Sequence, residues 1–340
     1  GARSPLRVIP TEWADHIEGL TYVKRGHFGE IYKGVLKDNP SHELVVKAIR
    51  PMDEREVACV KREVEMMTEL HLPGMIYLHA ATRVKKLQPN QTVYILMEAA
   101  AGNLEDLVIS KTMREVSLGT RLRLFADVLR SAVNLAEHGI VHRGLSPENI
   151  LLVGGHSGRP EDLTAVMSDL GCASSLPGGR WYTRQACGTA LYSPPEPWTT
   201  ETASCEFDVW SLGMVFFRLL TGHSPPPLRE AEPEKVIREH IESDFDIKES
   251  STYVRLHTVM PQAAALLERM LDRNATTRIT ARDALMAVTA FADSLNVDVW
   301  PRGRVVAPGG LDKWAALPPP KPPQKPTPAP AQGYTELLGH

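Results

Sequence analysis

The 340-residue chain has no run of about 18 apolar residues, so no segment reads as a membrane-spanning helix. It lacks a dominant charge as well: 38 Lys and Arg stand against 41 Asp and Glu, the formal net charge is −3, and no basic stripe gathers along the chain. That balance offers no electrostatic footprint for nucleic acid and points to nucleotide and protein as partners. Cysteine is scarce. Cys59, Cys172, Cys187 and Cys205 have no metal-ligand spacing and read as reduced thiols, with a bridge among the last three as the alternative in an oxidising compartment. The histidines show no paired helical spacing that suggests a metal. The opening Gly1-Ala2-Arg3-Ser4-Pro5 has neither an initiator Met nor a leader pattern. It reads as a processed or excised start, and leaves a cytoplasmic chain and one secreted after loss of a leader both open.

What is present is enough apolar residue, 43%, to fill two cores. From Gly19 to Arg50 the pattern alternates as strands do: Leu20 to Val23 and Glu30 to Val35 flank a turn at Gly26-His27-Phe28-Gly29, and Glu43 to Ile49 follows. Val57, Val60, Val64 and Met67 then recur at helical spacing over Glu54 to Leu70, and two further strands end in Val93 to Glu98. After Gly102 the periodicity is helical, over Leu118 to His138, Phe207 to Leu220, Pro261 to Leu271 and Thr280 to Asp293. An α+β chain results, with a β-rich first lobe carrying one main helix and an α-helical second lobe. Three segments are expected: residues 1–18 as an N-terminal extension, 19–293 as a two-lobed domain (about 19–98 and 102–293), and 294–340 as a Pro-rich C-terminal extension. The prolines between Pro318 and Pro328 require an extended segment without internal hydrogen bonds. It reads as a linker or disordered end, or as a ligand for a polyproline-binding domain.

The most specific motifs lie in the second lobe. Val141-His142-Arg143-Gly144-Leu145-Ser146-Pro147-Glu148-Asn149 is followed by Asp169-Leu170-Gly171, by Gly188-Thr189-Ala190-Leu191-Tyr192-Ser193-Pro194-Pro195-Glu196, by Asp208-Val209-Trp210-Ser211-Leu212-Gly213, and by Arg278. In order, spacing and composition these resemble the catalytic loop, the metal loop, the close of an activation segment running from Asp169 to Glu196, and the anchoring helix of the protein kinase superfamily, of the Ser/Thr kind, over about Gly19 to Asp293. The resemblance implies a bilobal protein kinase-like fold, with a buried ion pair between Glu196 and Arg278.

The same resemblance implies a nucleotide cleft for ATP and Mg²⁺. Gly26, Phe28 and Gly29 are similar to the second half of a glycine-rich phosphate loop, whose first glycine is replaced here by Lys24. Lys47 would pair the phosphates and Glu63 would pair Lys47. Met97 would close the back of the adenine pocket, Glu98 to Ala100 would offer backbone groups to the base, and Ile31, Val45 and Leu151 would sandwich it. Asn149 and Asp169 would hold the metal, and Leu170 stands for the usual Phe in a stack with Met67 and His142.

The catalytic loop departs from the family at two places. Gly144 occupies the position of the Asp that takes the proton of the acceptor hydroxyl, and Ser146 that of a Lys that steadies the transferred group, so His142, Arg143, Gly144 and Ser146 form a degenerate loop. Thr189 thereby loses both usual partners and is left a packing role, while Arg143 either grips a phosphate on Ser174, Ser175 or Thr183 or bonds backbone carbonyls. The reading is a pseudokinase that binds ATP and Mg²⁺ and acts as scaffold or allosteric regulator of a protein partner: a kinase, a kinase substrate or a signalling complex. The alternatives are a weakly active or atypical Ser/Thr kinase moving the γ-phosphate to protein hydroxyls, with Glu148 or Asp169 as substitute base, and a structural chain whose cleft stays empty.

Overall fold

The computed structural model of the chain describes residues 9–26, 29–110, 116–154, 159–224, 232–243 and 245–301. Phe28 and the proline stretch 318–328 lie outside them. The first lobe runs α1 (Thr11–Ala14), β1 (Ile17–Gly26), β2 (Gly29–Leu36), β3 (Asn39–Ile49), α2 (Glu54–Leu70), β4 (Leu78–Ala81) and β5 (Val93–Glu98). Its strands form one antiparallel sheet in the order β1-β2-β3-β5-β4.

Register decides what each face of that sheet does, because directly opposed residues share a face and neighbours along a strand do not. Lys24 pairs with Ile31, Ile31 with Lys47, and Val45 with Met97, which sets Ile31, Val45, Lys47 and Met97 on one face. On the other face Tyr32, Leu44, Val46, Ala48 and Leu96 are buried in a separate small core. That core is completed by Ile9, fully buried Trp13 and Ile17, so residues read as an extension pack beneath the sheet. The helix α2 starts as its sequence dictates: the Asp53 carboxylate accepts from the Arg55 and Glu56 amides at 2.9 Å each, and Val57, Val60, Val64 and Met67 turn inward.

The second lobe follows as β6 (Gly102–Asn103), α3 (Leu104–Ile109), α4 (Leu118–Glu137), β7 (Ile140–Val141), β8 (Ile150–Gly154), β9 (Leu163–Met167), β10 (Ser174–Ser175), α5 (Glu206–Thr221), α6 (Glu234–Ser243), α7 (Ser251–Val259), α8 (Pro261–Met270) and α9 (Ala281–Ser294). Buried from Phe207 to Leu220, α5 is the central post, and its Phe216 ring stacks on Phe125 of α4 with centroids 4.2 Å apart. Past α9 the chain still packs on this lobe, with Val299 buried and its carbonyl taking a hydrogen bond from Arg130. No helix among the described residues is long and apolar enough to cross a membrane.

One expectation about chemistry is overturned. Cys172 and Cys187 form a disulfide with Cα atoms 5.6 Å apart, whereas Cys59 and Cys205 are free thiols. The fold brings two half-buried cysteines together across a 15-residue separation, a closeness no local spacing announces.

Candidate functional site: a two-lobed cleft

Lys47, near the end of β3, meets Glu63 of α2 at 2.8 Å, with Glu63 buried and the Lys47 side chain 12% exposed. Burial alone acts against the Lys47 ammonium, but the Glu63 carboxylate and then Asp169 outweigh it and hold the lysine protonated, with a pKa above the ordinary value. Glu63 is pushed up by burial, pulled back by Lys47 and raised again by Asp169. Lys47, Glu63 and Asp169 thus act as one electrostatic group, although they come from three elements.

Glycine is required at one edge of this cleft. A β-carbon on Gly29 would sit 2.1 Å from the Ala48 carbonyl oxygen, which only a residue without a side chain tolerates. Gly26 pairs with Gly29 to close the hairpin, and Lys24 stands opposite Ile31. At the other edge, the Glu98 carboxylate accepts from the Tyr77 amide at 2.6 Å while the Glu98 amide donates to the Tyr77 carbonyl. Its side chain and amide therefore brace the approach to β4. Ala100 follows at the crossing between lobes, and half-buried Leu151 lies in the floor strand β8, paired with Asn103 and Val166.

The catalytic-loop region is held from below by α5. The Asp208 carboxylate accepts from the His142 and Arg143 amides at 2.7 and 2.9 Å, and its own pKa is pushed up by burial while those contacts oppose the rise. His142 is buried with Nε2 on the Ser168 carbonyl at 2.9 Å, and Met67 and Leu170 are buried as well. Arg143 and Asp169 adopt left-handed backbone at φ 63° and 66°, which costs non-glycine residues energy and marks a geometry the surroundings enforce. Asn149 donates its amide nitrogen to the Gly144 carbonyl at 2.7 Å.

Arg143 bonds carbonyls. It donates to the Thr183 carbonyl at 3.3 Å and to that of Gln185, its guanidinium lies 4.6 Å from the Trp198 ring centroid, and burial, with Arg62 adding, lowers its pKa to about 10. Ser174 and Ser175 are buried in the short ladder with β7, so they are closed to a modifying enzyme in this arrangement. Thr189 is exposed, and among the described residues its backbone carbonyl alone is engaged, by the Tyr192 amide and the Ser193 hydroxyl, which corrects the packing role. The bidentate pair of Glu196 and Arg278 is present at 2.7 and 2.9 Å, with Arg278 fully buried.

Two features escaped the sequence reading. Arg62 of α2 donates to the Gly171 carbonyl at 2.7 Å, tying the helix to the metal loop. Gly144 is buried, and a β-carbon there would lie 3.3 Å from Cys172 Cβ and 3.6 Å from its sulfur. The degenerate position therefore faces the disulfide.

Asp169, Asn149 and the Lys47–Glu63 pair supply hard oxygen donors and a fixed cation on one side of the cleft, a donor set suited to Mg²⁺ carried by nucleotide phosphates. A protein kinase domain model matches residues 20–288. Among curated proteins, serine/threonine-protein kinase PLK4 of Nematostella vectensis is 28% identical over 266 residues, covering 77% of this chain and 25% of its own length. The calcium/calmodulin-dependent protein kinase type II alpha chain of Drosophila melanogaster is 25% identical, covering 81% of this chain and 49% of its own. Calcium-dependent protein kinase 29 of Arabidopsis thaliana is 31% identical over 271 residues, covering 77% and 46%. The chain spans a quarter to about half the length of these relatives. With the two lobes, the Lys47–Glu63 pair and the anchored loop in place, the chain belongs to the protein kinase domain family.

Proposed function

We propose that this chain is a pseudokinase that binds ATP with Mg²⁺ and serves as a scaffold or allosteric regulator of a protein partner. The observation that carries the reading is an asymmetry within one cleft. The nucleotide side keeps Lys47 paired with Glu63 at 2.8 Å beside Asp169, while the acceptor side has Gly144 and a buried Ser146 where a base and a second cation are needed. Mg²⁺, when bound through Asp169 and Asn149, would neutralise phosphate charge. Lys47 would orient the phosphates, the Ile31, Val45 and Leu151 side chains would exclude water from the base, and Met97 would limit its depth. Nothing at 144 can take a proton: loss of such a base commonly costs a factor of about 10²–10⁴ in rate.

Residual transfer at low rate is the second reading, and the intact Lys47–Glu63 pair favours it, because phosphoryl transfer depends heavily on positioning. Glu148, one proposed substitute, is exposed on the turn Pro147–Asn149. The deciding experiment is the melting temperature of the wild type, Lys47→Ala and Asp169→Ala with ATP and Mg²⁺, alongside radiolabel transfer to a generic protein substrate. A nucleotide-dependent rise in the wild type alone, without transfer, is expected. No rise defeats nucleotide binding, and transfer abolished by both substitutions establishes the enzyme.

A further inference from the structure

The disulfide lies on the degenerate half of the catalytic loop. Cys172 directly follows the metal loop and faces Gly144, at the distances given above. Cys187 precedes Gly188, where an added β-carbon would fall 2.4 Å from the Arg143 carbonyl oxygen. One end of the bridge therefore faces Gly144 and the residue after its other end abuts Arg143, and the 15-residue separation between the two cysteines closes a loop inside the segment 169–196. Arg143 fastens the same segment through the Thr183 and Gln185 carbonyls. The space into which a side chain at position 144 would project is thus bordered by the Cys172 end of the bridge, while Lys47 and Glu63 pair on the other side of the cleft.

We propose that the Cys172–Cys187 bridge is a reducible plug of the acceptor side of the cleft, closing it in the oxidised chain and leaving the nucleotide side untouched. The inference rests on the reading of this cleft as a nucleotide-plus-acceptor site, but not on whether nucleotide binds. Opening takes a dithiol: one of its thiolates attacks a sulfur of the bridge, the S–S bond breaks, and the second thiol displaces the mixed disulfide. Two electrons and two protons pass to the protein, which ends with thiols at Cys172 and Cys187, and the dithiol ends as a disulfide. Freed, the segment can shift by the few tenths of an ångström that a side chain at 144 requires.

The test uses the full chain. Peptide mapping without reductant should return a linked Cys172–Cys187 peptide, with Cys59 and Cys205 alkylated. Trypsin cleavage after Arg180 or Arg184 should quicken at least about fivefold with dithiothreitol, as tethering suppresses local opening. Gly144→Asp should lower the melting temperature of the oxidised chain by about 3 °C or more, and by less than half as much in a Cys187→Ala background or under dithiothreitol. If the Asp variant does not fold, Gly144→Ala makes the same comparison with one carbon. Alkylation of all four cysteines without reductant, unchanged cleavage, or an equal penalty in both backgrounds overturns the proposal. An absent ATP-dependent shift in the same samples bears on nucleotide binding alone.

Discussion

Gly188 and Arg143 approach so closely that the glycine hydrogen is the only substituent the Arg143 carbonyl admits, and Gly188 sits at φ 92°, where side chains are strained in any case. Gly188→Ala should therefore destabilise by about 2 kcal/mol or more, from backbone strain and the clash together. Urea denaturation of the variant against the wild type measures it.

The bridge should contribute stability by restricting the unfolded chain. For its 15-residue separation the loop-closure model gives about 3 kcal/mol. Cys172→Ala/Cys187→Ala should lose about that amount in a denaturant titration. Dithiothreitol should lower the wild-type midpoint similarly and leave the double variant unmoved.

Leu170 borders a pocket of about 170 Å³ together with Met66, Met67, Leu70, Met75 and Leu78. Leu170→Phe has room to extend into it and should raise stability by about 1 kcal/mol, whereas Leu170→Ala should cost about 2–4 kcal/mol. Thermal melts of the two variants should move in opposite directions.

The Glu196–Arg278 pair joins the end of the activation segment to the helical lobe. Arg278 also donates to the Glu206 and Asp272 carbonyls and lies 5.3 Å from the Trp210 ring centroid. Removing one partner leaves a charge without compensation, so Glu196→Ala should cost about 3–5 kcal/mol. The unfolding midpoint in guanidinium should fall accordingly.

His79 gives a pH signature. Burial first, and then His42, push its pKa down to about 4, and its Nε2 has no hydrogen-bond partner among the described residues. Between about pH 4 and 6.5 the unfolded chain binds a proton that the folded chain refuses, so this residue makes stability rise with pH, by about 3 kcal/mol over the window. Asp127 works in the other direction. Burial raises its pKa to about 6 against Arg123 and Arg130, so from about pH 4 to 6 the folded chain keeps a proton the unfolded chain has lost, and stability falls as pH rises. The two act against each other in the wild type. His79→Phe should unmask the fall, seen as a higher urea midpoint at pH 4.5 than at pH 6.5.

Elements with a continuous buried stripe were legible from residue types alone. Val57, Val60, Val64 and Met67 marked α2 over its full observed length, and the apolar run around Phe216 marked α5. The helices α6 and α7 went unread because each buries only two side chains, Ile237 and Ile241 in one, Tyr253 and Leu256 in the other. Among the site residues, Lys47, Glu63, Glu196 and Arg278 were legible because their spacing is a signature and charges buried in the fold must find partners. The pairing was not, since nothing local among Cys172, Cys187 and Cys205 says which two meet, or that any do. Nor was the exposure of Thr189, which depends on how the segment is folded down.

The buried Trp13 has a practical consequence for anyone dividing this polypeptide. A fragment beginning at Gly19, where the family pattern begins, would strip the indole and Ile17 from beneath Val46 and Leu96 and leave a greasy hollow on the sheet's outer side. Such fragments should stick to one another in solution, and those that keep Ile9 onward should not.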